Sequence, residues 1–487
     1  MALNNPRFFV LLTTGCFLVD IFFLKDEWSH TKKILILKEI MSVFYKCFLL
    51  SFIGINYMTG KKPILWPVLA GNALEFFDLG LYGCLSPLLA SKFFPSSDLF
   101  AQTIAAASLF AAGFVTRPLG AIIFGHIADQ YGRKRSLTLT LAIMGVATLS
   151  VSFLPTYGDI GILAPVLLTI LRFIQGICAG GEYNSAAVFV LEHIERKRRG
   201  IVSGIITATS IFGFFMASII TNLTTVSLPG DWSWRVPFLI GSFIALISYI
   251  LRLKTLETPE FLKTKSFRKF IVSSSFIDVV KNRRAMISTI GVGCLAGVLS
   301  LTIVGFLPTF LLSFGSVPPG YEKFFAQFCL FLYFILLPVF GFLSDYITQK
   351  KLMIFSSVTS FFISFPIFLL LLSSHLSNVV IGTFLLASLA ASFLGPMHAY
   401  MLSVFPINQR CRGISMGFSI GVAIFGGSAP LISTSLIKMT GLAYAPACYF
   451  AFSSLMGLMA VCLRHPEDET ATEKELAQTS GPVAVKA

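Results

Sequence analysis

Charge is what this chain has least of. Only 12% of its 487 residues are Asp, Glu, Lys or Arg, against roughly 25% in a soluble globular domain. A surface that poor in charge cannot face water over a whole globule, so lipid has to be the solvent for most of the chain. The nine cysteines stand singly, with no CxxC pair and no histidine at metal spacing, which leaves no disulfide framework and no metal site to read. No nucleophile–base constellation stands out either, so neither an enzyme nor a cofactor is expected. Period-2 alternation is missing as well, which removes the β-barrel. Helices are then the structures left that satisfy every backbone polar group in hydrocarbon.

What is present is grease: 50 Phe and a mean hydropathy of +0.82. Crossing about 30 Å of hydrocarbon takes ~20 residues. Runs of that kind lie near 64–90, 102–124, 136–154, 162–190, 200–224 and 234–253, and again near 286–314, 323–343, 352–373, 377–402, 414–437 and 442–463. The expected fold is an all-α membrane protein with six helices in each of two halves, 58–253 and 286–463, joined by a linker at 254–285.

The net charge of +14 would suggest nucleic acid in a soluble protein. Here the basic residues sit in short loops and mark topology. Arg133-Lys134-Arg135, Arg196 to Arg199, Lys350-Lys351 and Arg410 with Arg412 follow even-numbered spans, with Lys92, Lys323 and Lys438 as isolated exceptions. The positive-inside rule puts these loops, the linker and the 464–487 tail in the cytoplasm. In the linker, Phe261, Phe267 and Phe270 are expected against lipid headgroups. Residues 1–57 read as an extension outside the working unit. A start at Met58 competes there with a helical hairpin or a surface element.

The halves repeat each other. Gly125-His-Ile-Ala-Asp129-Gln-Tyr-Gly132-Arg133-Lys134-Arg135 after span 2 corresponds to Gly341-Phe-Leu-Ser-Asp345-Tyr-Ile-Thr-Gln-Lys-Lys351 after span 8. Arg199-Gly200 and Arg412-Gly413 match in the same way. Such duplication is usual in alternating-access transporters.

These strings resemble a known family. GHIADQYGRKR (125–135) is similar to the loop 2–3 signature of the major facilitator superfamily. GNALEFFDLGLYG (71–83), TRPLGAIIFG (116–125), LRFIQGICAGGEY (171–183), DWSWRVPF (231–238) and LETPEF (256–261) resemble the metabolite:proton symporter family, which includes proline/betaine and organic-acid transporters of bacteria. The resemblance implies a major facilitator fold and alternating access. It also implies a cytoplasmic latch at Gly125, Asp129, Gly132, Arg133 and Lys134. Asp345 occupies the equivalent place in the second half, where Tyr346-Ile-Thr-Gln349 departs from the family pattern.

Ionisable groups inside a bilayer are costly and so are candidates for function. In span 1, Gly71, Glu75, Asp78 and Tyr82 fall within an arc of about 60° at 100° per residue. That stripe is expected to face a central cavity, with Glu75 and Asp78 as proton carriers or as structural partners of a buried Arg. In span 4, Arg172, Gln175, Glu182 and Tyr183 share an arc of roughly 100°. An Arg there suits a substrate carboxylate, and Glu182 is either a second coupling acid or half of an Arg–Glu network. Arg117 reads most simply as a snorkelling side chain, and His398 as a hydrogen-bonded packing residue.

The leading functional expectation is proton-coupled symport of a small carboxylate-bearing metabolite, an amino-acid or betaine-like zwitterion or an organic acid. It would operate as a monomer in a bacterial inner membrane, with substrate, protons and lipid as partners. Proton-driven export of an amphiphile and a non-transporting sensor are the alternatives.

Overall fold

The hydropathy pattern is realised as helices throughout. The computed structural model describes residues 66–94, 109, 112–258, 261–262, 281–318, 321–407 and 409–463, and among these no strand occurs. The extension 1–57, the start at Met58, most of the linker and the tail lie outside the described residues.

The N-terminal half comprises α1 (Trp66–Phe93), α2 (Arg117–Tyr131), α3 (Arg133–Ser152), α4 (Leu163–Glu192), α5 (Arg199–Ser227) and α6 (Trp232–Leu253). The C-terminal half comprises α7 (Arg283–Phe314), α8 (Tyr321–Ile347), α9 (Gln349–Leu371), α10 (Leu376–Leu402), α11 (Arg410–Thr440) and α12 (Pro446–Cys462). Ten of them are long and apolar enough to cross a membrane; α2 and α12 are shorter. The helices α7 and α11 each contain a π-turn, at Thr302–Phe306 and Val422–Gly426, followed closely by Pro308 and Pro430. Such turns interrupt the regular hydrogen-bond ladder and are frequent at functional sites.

Within the first half α1 packs on α5 and α6, α2 on α4, and α3 on α4 and α6. Within the second, α8 and α9 pack on α10, and α7 on α11 and α12. The halves meet where α5 lies against α8 and α10, and where α11 lies against α2 and α4.

The joint between α2 and α3 corrects the sequence reading of an eleven-residue loop. Helix α2 runs on through Asp129 to Tyr131, α3 begins at Arg133, and only Gly132 breaks the helix, at φ 115°. That backbone conformation is open to glycine and strained for other residues. The second repeat bends in the same place: α8 ends at Ile347, α9 starts at Gln349, and Thr348 takes φ 88°. The repeat has kept the backbone turn where it has lost the glycine.

Two further residues depart from expectation. Lys92, an exception to the charge pattern, pairs with Asp231 at 2.7 Å between the ends of α1 and α6, so its charge is locally balanced. Phe261 does not reach outward to headgroups. It is buried, with the Arg133 guanidinium 5.0 Å from its ring centroid, because a cation buried at the helix joint needs a π face beside it.

Candidate functional site: buried ion pairs in the first half and a latch between the halves

The sequence stripe on α1 is real, and its neighbours define what it does. Gly71, Glu75, Asp78 and Tyr82 are all buried. Their charged partners stand on α2, α4 and α6 of the same half. Charges held at this depth are costly unless paired and hydrogen-bonded.

Three acid–arginine pairs form this layer, and they differ in how completely they are satisfied. Glu182 is held hardest. Its Oε1 accepts from Arg252 Nη2 at 2.7 Å, and its Oε2 accepts from the Thr140 hydroxyl at 2.8 Å. Arg252 also donates to the carbonyls of Leu137 at 2.7 Å, Pro67 at 3.2 Å and Val68 at 3.3 Å. Its guanidinium lies so close over Gly71 that any Cβ there would collide with it. Gly71 belongs to the stripe as the gap that admits Arg252. Arg252 was not singled out from sequence because it sits at the end of span 6, where an Arg reads as a topology mark.

Asp78 is held on one oxygen. Its Oδ1 accepts from the Thr148 hydroxyl at 2.8 Å and from Gln175 Nε2 at 3.1 Å. Its Oδ2 faces Arg172 Nη1 at 3.7 Å without a hydrogen bond. Arg172 in turn lies flat over the Tyr82 ring, 4.0 Å from the centroid. Its Nε and Nη2 have no acceptor, and neither the Tyr82 hydroxyl nor Gln175 Oε1 has a partner. The structure thus brings four predicted residues together: Asp78, Tyr82, Arg172 and Gln175.

Glu75 is held most loosely. Neither carboxylate oxygen accepts a hydrogen bond, and Arg117 Nη2 stands 3.5 Å away. Arg117 is 5% exposed and does not snorkel. It begins α2 with its guanidinium 4.7 Å from the Phe114 ring centroid and 6.0 Å from that of Phe76. Burial against a carboxylate and aromatic faces replaces the water that snorkelling would have sought.

At the end of the molecule that carries the basic loops, three of the predicted latch residues, Asp129, Arg133 and Asp345, join the halves. Asp129 on α2 accepts from the backbone N–H groups of Cys411 and Arg412, the second and third residues of α11, at 3.3 and 3.0 Å. Asp345 on α8 does the same for Gly200 and Ile201, the second and third residues of α5, at 2.7 and 3.0 Å. A carboxylate at a helix N-terminus meets unpaired N–H groups and the positive end of the helix dipole. The duplicated motif is therefore one device used twice, each copy reaching into the other half. Gly125 permits the close approach, since a Cβ there would stand 3.0 Å from the Arg412 Cα.

The first copy carries more charge. Arg133 faces Glu192 at 3.3 Å and Asp129 at 3.9 Å, and donates to the Ile407 carbonyl of the second half at 3.1 Å. Arg410 bonds Glu192 at 3.1 Å, and Arg412 lies 3.6 Å from Asp129. Glu257 accepts from the N–H groups of Arg133 and Lys134 at the start of α3, and Lys134 Nζ donates to the Leu253 carbonyl at 2.9 Å. Glu192, Glu257 and Arg410 were missed as participants. Sequence patterns show them as ordinary loop charges, and only the fold converges them. Among the described residues no cluster of His, Cys, Asp or Glu could hold a metal ion.

A helical membrane bundle in two repeated halves, with buried charge pairs in one and reciprocal capping between them, is the architecture of a solute transporter. Residues 64–278 match the "Sugar (and other) transporter" family and residues 320–487 the "Major Facilitator Superfamily". The glycine betaine/proline/ectoine/pipecolic acid transporter OusA of Dickeya dadantii is 30% identical over 80% of each chain. A putative proline/betaine transporter of Staphylococcus aureus is 31% identical over 85% of this chain and 90% of its own. The proline/betaine transporter of Escherichia coli is 30% identical over 80% of each. Among solved structures, the proton:xylose symporter XylE shares the fold at TM-score 0.66 and 15% identity, over 85% of this chain and 98% of XylE. The chain belongs to the major facilitator superfamily and, within it, to the group that includes the bacterial proline/betaine transporters. It is a multi-pass membrane transporter and not an enzyme.

Proposed function

We propose that this protein imports a small carboxylate-bearing metabolite together with protons across a bacterial cytoplasmic membrane. In this reading it makes twelve crossings, its basic loops and both ends lie in the cytoplasm, and it works as a monomer. The observation that carries the reading is the graded satisfaction of three buried acids in one half: Glu182 has both oxygens hydrogen-bonded, Asp78 one, and Glu75 neither. A carboxylate that must gain and lose a proton in each cycle cannot be tied down on both oxygens, so Glu75 and Asp78 carry the coupling and Glu182 holds the bundle together. Arg117 and Arg172 are the cations these acids release when protonated. An arginine so released is a bidentate partner for a substrate carboxylate. The solutes named for the relatives, among them proline, glycine betaine and pipecolic acid, all carry that group.

The latch supports alternating access. It is closed at the basic-loop end, and a carboxylate on a foreign helix N-terminus is a contact that two rocking halves can make and break. Gly125, Asp129, Gly132, Arg133, Lys134 and Asp345 act there without touching solute.

Uptake of labelled solute into proteoliposomes tests the coupling. An inside-alkaline pH gradient drives accumulation in the native protein. Glu75→Gln or Asp78→Asn abolishes accumulation in at least one case while solute counterflow persists. Normal accumulation in both variants overturns the assignment.

A further inference from the structure

Both halves have to hold the solute if its binding is to bias one arrangement of the halves over another, because a ligand shifts an equilibrium only by its differential affinity for the two states. The described charged layer belongs entirely to the first half. The second half contributes no carboxylate at membrane depth, since between 286 and 463 its acids are Glu322, in the first turn of α8, and Asp345, at the latch. Its buried phenols are spent at home: Tyr400 pairs with Ser288 at 3.1 Å, and Tyr333 with Ser300 at 3.1 Å. Away from the latch, its described buried side-chain atoms without a hydrogen-bond partner are the Ser360 and Ser415 hydroxyls and Nε2 of His398, and the imidazole is the one of these in ring contact with the first half.

His398 on α10 is 2% exposed, and its Nε2 has no hydrogen-bond partner. It reaches across the seam to the first half. Its ring stands edge-on to Tyr183 of α4, with centroids 4.8 Å apart. Tyr183 is edge-on to Phe76 of α1 at 5.0 Å and is flanked by Phe418 of α11 at 5.7 Å. Phe76 is the ring beside which Arg117 lies, and Glu75 is its chain neighbour. A continuous row runs from the loosely held Glu75–Arg117 pair, over Phe76 and Tyr183, to the unpaired imidazole across the seam. A buried nitrogen without a partner is a cost that Phe or Leu at 398 would not carry.

The backbone around His398 is also set by the opposite half. The Ser203 hydroxyl of α5 accepts from the N–H groups of His398 and Ala399 at 3.1 and 3.3 Å. The Thr207 hydroxyl donates to the Leu394 carbonyl at 3.4 Å. These contacts bracket Pro396, which has no N–H of its own to give to the helix. Separation of the halves at this end withdraws both hydroxyls, so the position of the imidazole depends on the state of the transporter.

We propose that His398 is the solute-binding residue of the C-terminal half. The solute carries a carboxylate that takes Arg117 from Glu75 and a second polar group that bonds His398 Nε2, and it lies along Phe76 and Tyr183 between them. This rests on the symport reading above.

The test uses the full chain in proteoliposomes with proline, pipecolic acid, citrate and 2-oxoglutarate as probes, each of which has a hydrogen-bonding group besides one carboxylate. His398→Phe keeps the ring edge against Tyr183 and removes the nitrogen, whereas His398→Gln keeps a hydrogen-bonding group. For any probe that is transported, His398→Phe raises the KM of counterflow by roughly 10- to 100-fold, the loss of one hydrogen bond to a charged group. The maximal rate and thermal unfolding stay near native, and His398→Gln recovers part of the affinity. Native KM in His398→Phe overturns the proposal. Should that variant fail to fold, carbethoxylation of His398 in the native protein decides: saturating probe slows it, and an unchanged rate overturns the proposal. If none of the probes accumulates under any gradient, the symport reading fails, and the role of His398 falls with it. Transport with an insensitive His398 refutes only the second.

Discussion

The two halves share a backbone plan and divide the chemistry unequally. The first half buries Glu75, Asp78, Glu182, Arg117, Arg172 and Arg252 among its helices. The described buried polar side chains of the second half, away from the latch, are hydroxyls and one imidazole. What the second half has instead is two π-turns near prolines, in α7 and α11. One half is therefore a charged frame whose pairs must be kept or exchanged one for one. The other is a pliable partner whose helices bend without exposing a charge. The same contrast appears at the latch, where Asp129 is fully buried among arginines and Asp345 is half-buried with only backbone N–H groups as described partners.

The hardest way to break the comparison is to remove the frame's central pin. Arg252→Met leaves Glu182 buried without its cation, and loss of one partner of a buried pair costs about 3–5 kcal/mol. Thermal unfolding in detergent should show a larger destabilisation for this variant than for any change at the latch or the helix joints. A stability close to native would mean that the first half does not depend on its ion pairs, and the contrast between halves would lose its physical basis.

A smaller effect separates the two latch copies. Asp129→Asn weakens two backbone contacts and its ion pairs, and a hydrogen bond to a charged group is worth about 1.5–3 kcal/mol. Asp345→Asn weakens backbone contacts alone in a wetter site and should cost less. Accessibility to thiol reagents, read from cysteines introduced near the basic-loop end, should rise more for Asp129→Asn than for Asp345→Asn, with solute affinity nearly intact in both. Equal rises would mean that the arginines around Asp129 are ornamental.

The smallest effect has opposite signs in the two repeats. Thr348→Gly relieves a β-branched residue at positive φ and should stabilise by about 1 kcal/mol, the low end of the cost of such strain. Gly132→Thr imposes the same strain on the first copy and crowds Glu257 as well, so it should destabilise by more. Unfolding midpoints of the pair test whether the repeat conserves a backbone turn or merely a helix break.

Much was legible from one dimension. Hydropathy marks the stretches that form long apolar helices, and the Asp129 and Asp345 strings mark the repeat, because each of these is a property of neighbouring residues. The stripe on α1 was legible for the same reason: helical spacing puts Glu75 and Asp78 on one face whatever lies opposite. Which helices that face meets was not, because a helix buried on more than one side gives no amphipathic signal to choose among its neighbours. The extent of α2 was not either, since Gly132 alone ends it, and a glycine among polar residues looks the same in a long loop as in a one-residue joint.

The order of residues was therefore enough to define a membrane transporter in two repeated halves and to mark Glu75, Asp78, Glu182, Arg117 and Arg172 as candidate charges, though not Arg252 or Glu192. Which acid meets which arginine was left to the packing of the helices. Each of Glu75, Asp78 and Glu182 was equally compatible in sequence with Arg117 or Arg172, and Arg252 was not among the candidates. Ion pairing depends on a few ångströms between helices dozens of positions apart, and no local pattern encodes that distance. The packing that sets Arg252 over Gly71, Arg172 on Tyr82 and Arg117 beside Phe76 makes the choice. With it comes the division between a carboxylate hydrogen-bonded on both oxygens and one with neither oxygen bonded.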